Sequence, residues 1–271
     1  MAFIPKKSGD TAVLDAPAAP APSGPIVGVK HLCLDIETRN ATPEAIELSA
    51  RFYKAPSNMK DAEKLKAREA VAMLKLEEKS ALLDGAPIGV IGIVTESSAI
   101  LFHTIKTKKK ILSLKNIPAE IFAFKTEREM LGSMREWCDP RGLPNTTLIG
   151  HNIRNFDMPK LRGAFVRNRL MLPKLLRPEA KEEGVTMYDT MHSFLYGFTA
   201  ERAGDKYISQ EEMIARLGLP GHKQRLSGAE IPRMIEEGKA EEVLAYNYLD
   251  IAEAYAAFLA MTGQYKDQPQ S

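Results

Sequence analysis

The sequence predicts an α/β fold: a mixed central sheet, three antiparallel strands followed by parallel ones, flanked by helices and carrying a helical insertion after the first strand. Three observations carry this expectation. Apolar runs of strand length recur at 29–37, 87–95, 99–105, 146–152 and 185–189. Segments of helical period alternate with them and then fill the rest of the chain. The first three strands are followed by strand–helix–strand spacing, which suits parallel pairing.

The elements follow in order. Residues 1–25 are rich in Ala, Pro, Ser and Gly and lack apolar periodicity, so they are expected to form a flexible leader. The folded domain is expected over 26–263, with 264–271 as a flexible tail. Val29 to Glu37 reads as a buried strand that turns polar at its end. The segment 42–83 interrupts the sheet and is rich in Ala, Lys, Glu and Leu. Within it, 60–78 has the pattern of a charged amphipathic helix. Two strands, 87–95 and 99–105, are joined by Glu96-Ser97-Ser98 as a hairpin. Thr126 to Trp137 is a helix that opens on Thr126-Glu127-Arg128-Glu129, a capping-box pattern. A strand at 146–152, a helix at 159–169 and a short last strand at 185–189 come next. The remaining helices are expected over 209–217, 229–237 and 239–261. This succession outlines an RNase H-like fold.

Composition narrows the function classes. The 271 residues carry a net charge of +2, so the chain as a whole does not announce a nucleic-acid binder. Attraction to phosphate would have to come from local clusters or bound metal. Cys33 and Cys138 form no C-x-x-C pair, which leaves zinc and thiol-redox readings without support. No apolar stretch reaches membrane-spanning length, and the N-terminus lacks the apolar core of a secretory signal. A soluble, cytoplasmic protein with no membrane partner is the expectation.

Three acidic clusters stand out. Asp35 and Glu37 are two apart on a strand, so they share one face. Adjacent carboxylates repel, and a hard divalent cation such as Mg²⁺ between them would relieve the repulsion. A solvated strand end is the bland alternative. Gly150-His151-Asn152-Ile153-Arg154-Asn155-Phe156-Asp157 lies between a strand and a helix, at the carboxyl end of the strand, where α/β proteins tend to place ligands. There Asp157 could equally be a helix N-cap. In Tyr246-Asn247-Tyr248-Leu249-Asp250, the tyrosine and the aspartate are one helical turn apart. The buried stripe of that helix is expected to be Leu244, Tyr248, Ile251, Tyr255 and Phe258, with Tyr246 and Asp250 off it, on a face bordered by Ala254 and Ala257.

Together the clusters resemble the DEDD superfamily of 3′-5′ exonucleases: Asp-x-Glu on a first strand, Asn-x-x-x-Phe-Asp after a later strand, and Tyr-x-x-x-Asp on a C-terminal helix. The tyrosine matches the DEDDy (DnaQ-like) branch. The pattern is most similar to the proofreading exonuclease domain of family B DNA polymerases, with His151 replacing an aromatic residue often found there. Ala215-Arg216-Leu217-Gly218-Leu219-Pro220-Gly221 also looks like that group. No polymerase palm or thumb follows the third motif, and 42–83 is longer than a minimal domain needs. Both features resemble the standalone phage and prophage relatives. The resemblance implies hydrolysis of phosphodiester bonds at the 3′ end of DNA, preferably single-stranded. It implies two Mg²⁺ ions, with Mn²⁺ able to substitute, held by Asp35, Glu37, Asp157 and Asp250. Tyr246 would orient the attacking water. Asn152, Phe156, His151 and Thr38 would stand near the terminal nucleotide, although for Phe156 a core position is the stronger reading and for His151 a structural one is at least equal.

The basic runs Lys106-Thr107-Lys108-Lys109-Lys110 and His222-Lys223-Gln224-Arg225 could meet phosphates but suit solvated loops better. Asp189 reads as a structural acid or helix cap. Two alternatives stay open: an exoribonuclease of the same superfamily, and a catalytically silent nucleic-acid-binding module. A replication or recombination partner is possible through the leader.

Overall fold

The computed structural model describes residues 29–51, 58, 60–77, 80–107, 111, 113–139, 145–177, 181, 184–198, 207–221 and 226–265. The expected leader, 266–271 of the expected tail, Lys108-Lys109-Lys110 and the run His222–Arg225 lie outside the described residues. So do 52–57, 59 and 78–79 of the insertion.

Six strands form one sheet: β1 (His31–Thr38), β2 (Ile88–Thr95), β3 (Ala99–His103), β4 (Glu120–Ala123), β5 (Thr147–Gly150) and β6 (Thr186–Asp189), in the order β4-β3-β2-β1-β5-β6. β1, β2 and β3 are antiparallel neighbours, while β5 joins β1, and β6 joins β5, in parallel. That is the expected mixed α/β sheet, consistent with an RNase H-like exonuclease fold. Thr95 and Ser98 close the hairpin, with the Thr95 N–H donating to the Ser98 carbonyl at 2.8 Å.

Alternation of side chains gives the sheet two apolar faces. Leu32, Leu34, Ile36, Ile91, Ile93 and Leu148 pack against α3 (Glu127–Cys138) and α4 (Asp157–Arg167). Cys33, Val90, Leu101 and Ile149 face α8 (Ala240–Met261) and α7 (Ile231–Glu236). Covered on both sides, β1 and β2 are almost wholly buried, which is why they read as continuous apolar runs. α3 opens on the expected capping box, Thr126 with Glu129.

The described residues of the insertion include two helices, α1 (Pro43–Arg51) and α2 (Asp61–Glu77), and a 3₁₀ turn, Ser80–Leu82, ahead of β2. α5 (Thr190–Gly197) and α6 (Gln210–Arg216) are the other α-helices among the described residues. Among the described residues, no helix is long and apolar enough to cross a membrane.

Three sequence expectations need correction. β4 was not expected: it pairs in parallel with β3 at the sheet edge, and of its four residues only Ile121 is buried, so it has no alternation to detect. The strand expected over 146–152 stops at Gly150, because His151 to Phe156 turn into α4. On α8 the buried stripe runs through Val243, Leu244, Asn247, Ile251, Ala254, Ala257 and Phe258, with Tyr248 and Tyr255 only half-buried. Small residues turn inward there because the helix lies close over the sheet.

A candidate metal centre at the end of the first strand

β1 and β5 run in parallel only as far as Cys33 and Ile149. Beyond that pairing β1 continues without its neighbour, and the Ile36 N–H donates instead to Asp157 Oδ1 at 3.1 Å. Asp157 is therefore drawn against β1 as the first residue of α4. Phe156, with no side-chain capping bond, occupies the N-cap position that Asp157 was an alternative candidate for.

The turn before α4 is held from β6. Asp189 Oδ1 accepts from the Asn152 N–H and Oδ2 accepts from the Arg154 N–H, at 3.2 and 3.1 Å. Asp189 also caps α5 through the His192 N–H, so it is the structural acid expected of it. Asn152 takes φ +57°, a left-handed conformation that asparagine tolerates better than most residues.

Asp35 and Glu37 project from β1 toward α8. With Asp250 of α8 they form a group whose ligand oxygens all lie within 4.8 Å of one another. All three line a cavity of about 460 Å³ whose wall also includes Asp157, Tyr246, Asn152, Phe156 and the 3₁₀ residues Ala81 and Leu82. The structure thus brings three of the four expected carboxylates into one tight group and sets the fourth, Asp157, in the same cavity.

The electrostatics follow from burial and like charge. Burial, then the neighbouring Asp157, Glu37 and Asp250, push the Asp35 carboxyl well above the usual range. Burial and Asp250 do the same to Glu37. Asp157 rises to about 7, mainly through burial, against the lowering effect of the Ile36 N–H. Oxygen donors gathered at this spacing and kept from ionising by one another suit a hard divalent cation, whose charge would remove both penalties. The residues present fit such an ion.

Tyr246 shares a hydrogen bond with Asp250. Burial and then the surrounding carboxylates push its hydroxyl above the ordinary tyrosine range, so it stays protonated and donates.

Two residues expected near a substrate have their polar atoms engaged within the fold. His151 Nε2 lies 3.0 Å from the Ile208 carbonyl and Nδ1 lies 3.2 Å from Thr190 Oγ1, and burial lowers the affinity of the ring for a second proton. Thr38 is buried, and its hydroxyl donates to the Ala81 carbonyl at 2.9 Å. Phe156 is half-buried against the core with its ring on the cavity wall, and the Asn152 side chain accepts from Asn155 Nδ2 at 3.2 Å.

Sequence reasoning did not single out Asn247, whose Nδ2 donates to Asp35 Oδ2 at 2.7 Å. It also missed Lys160, buried one turn beyond Asp157, which donates to the Ala81 and Leu83 carbonyls at 3.0 and 2.7 Å. The available signal was a polar residue on an otherwise apolar helix face at each position.

Compared with known families, residues 96–267 match a family model described as a predicted 3′-5′ exonuclease related to the exonuclease domain of PolB. No curated protein matches the chain. Asp157, Tyr246 and Asp250 fall within the matched residues; Asp35 and Glu37 precede them and meet them through the fold.

Proposed function

The chain belongs to the family of predicted 3′-5′ exonucleases related to the exonuclease domain of PolB, and we propose that it removes nucleotides from the 3′ end of single-stranded DNA in a divalent-metal-dependent reaction. The nuclease family implies a nucleic-acid substrate. The observation that carries the metal reading is the meeting of Asp35, Glu37 and Asp250 oxygens within 4.8 Å in a cavity also lined by Asp157 and Tyr246.

Asp35, Glu37 and Asp250 would hold a divalent ion, with Asp157 available for a second. Mg²⁺ or Mn²⁺ bound there supplies charge stabilisation at the phosphate and an activated water near neutral pH. The chain's own contributions are then specific. Tyr246, protonated and anchored to Asp250, orients a water rather than removing its proton. His151 holds the turn preceding Asp157 and is not available as a base. Phe156 and Asn152 offer an apolar ring and a polar group at the wall for the terminal nucleotide. A cavity of about 460 Å³ is on the scale of one small ligand, which suits an unpaired terminus.

The substrate is tested by incubating 5′-labelled single-stranded DNA and RNA of one sequence side by side with Mg²⁺. The proposal expects DNA to be shortened and RNA to be degraded more slowly. RNA degraded as fast or faster would move the reading to an exoribonuclease.

A further inference from the structure

The inward face of α8 is apolar from Val243 to Phe258 except at Asn247 and Glu253. Asn247 is fully buried. Its Nδ2 donates to Asp35 Oδ2 at 2.7 Å, and the same side chain hydrogen-bonds Glu37. The carboxylates that a cation would bind are ionised and only accept, and the NH₂ end of the amide faces the two acids. Its carbonyl Oδ1 is thereby turned the other way, where it is buried without a partner. An unsatisfied buried carbonyl costs stability. Leucine has the same side-chain branching and carries no polar group to leave unsatisfied.

Gly92 stands directly across from Asp35 in the β1–β2 register, on the same face of the sheet. A Cβ placed on it would run into Asn247 Oδ1 and Ile251 Cδ1. Glycine inside a strand is itself unfavourable and often marks a close approach of another element. Here the approach is that of α8, at the residue whose amide donates to Asp35.

We propose that Asn247 and Gly92 are one device that positions the Asp35 and Glu37 carboxylates for a divalent cation: Asn247 fixes them by donation and Gly92 leaves the room in which it can do so. The inference rests on the metal reading above. Asn247 is a positioning residue, since it reaches the ion only through the acids.

The test is a calorimetric Mn²⁺ titration of the wild-type chain and of Asn247→Leu, Asn247→Ala and Gly92→Ala, each first checked for native near-UV circular dichroism in EDTA. Each folded single variant is expected to bind Mn²⁺ about 10–100-fold more weakly. Gly92→Ala placed on Asn247→Ala is expected to weaken Mn²⁺ binding less than Gly92→Ala does alone, because only the contact with Ile251 then remains. Should Asn247→Leu not fold, the alanine variants give the same readout. Folded variants that bind Mn²⁺ within about twofold of the wild type would overturn this inference alone. A wild-type chain that binds no Mn²⁺ would overturn the metal reading and this inference with it.

Discussion

Repulsion governs the acidic cavity at the scale of single side chains. Asp157 is fully buried, and its carboxyl is raised to about 7 from an ordinary value near 4. The native state therefore holds a proton that the unfolded chain has released at intermediate pH. Its contribution to stability is intact below about pH 4 and is lost as pH climbs toward 7. In EDTA, Asp157→Asn keeps an acceptor for the Ile36 N–H and removes the charge. It should melt higher than wild type at pH 8, by about 2–4 °C for each kcal/mol gained, with the difference gone by pH 4. A variant that melts no higher at pH 8 would count against the burial argument. Tyr246→Phe deletes one hydroxyl and leaves every carboxylate in place. The loss should be on the order of 10–100-fold in kcat with little change in KM, whereas Asp250→Ala should leave no measurable turnover. Single-turnover and steady-state assays separate the two. Spacing of two on a strand and of four on a helix could be read as placing Asp35 with Glu37 and Tyr246 with Asp250 on shared faces, whereas joining them with Asp157 rested on the resemblance of the three motifs together. Asn247 could not be read from sequence, because its importance depends on the absent side chain of Gly92, on a strand more than 150 residues earlier in the chain.

Among the elements, α4 does more than present Asp157. Its Lys160 ammonium is buried, bonded to the Ala81 and Leu83 carbonyls, and lies 5.0 Å from the centre of the Phe156 ring. Arg167, two turns on, reaches the Asp84 and Ala86 carbonyls. The insertion's return to the sheet is thus latched to the helix that begins at the cavity, and Thr38 adds a bond from β1. Lys160→Met should destabilise the chain by about 1–3 kcal/mol through lost charge-assisted bonds, and should speed proteolysis within 42–83. Urea unfolding and limited trypsin digestion check both effects; unchanged cleavage would mean that the latch is not what holds the segment. Long helices and apolar runs bounded by turn or cap signals were legible: α2, α3, α8 and the β2–β3 hairpin lie within a residue or two of expectation. β4 and α5 were not. β4 is a four-residue edge strand whose place depends on Phe122 and Phe124 stacking against Phe102, a contact made only after the sheet exists. α5 starts on Asp189, whose capping role and strand-end position overlap in the sequence.

For the molecule as a whole, one geometric consequence organises the site. β1 is the central strand on which helices from both faces converge: α4 brings Asp157 from one side and α8 brings Tyr246 and Asp250 from the other. Residues separated by more than 200 positions meet because β1 runs on past the last pairing with β5, leaving its end free for them. The central claim, that these acids hold divalent metal for hydrolysis from the 3′ end, is tested most directly by a time course on 5′-labelled single-stranded DNA in Mg²⁺, in Mn²⁺ and in EDTA, run with the wild-type chain and Asp35→Ala. The account predicts a ladder that shortens one nucleotide at a time from the full length with either metal, and none with EDTA or with the folded variant. Cleavage that persists in EDTA or in Asp35→Ala, or a label released at once as a mononucleotide from the 5′ end, would contradict it.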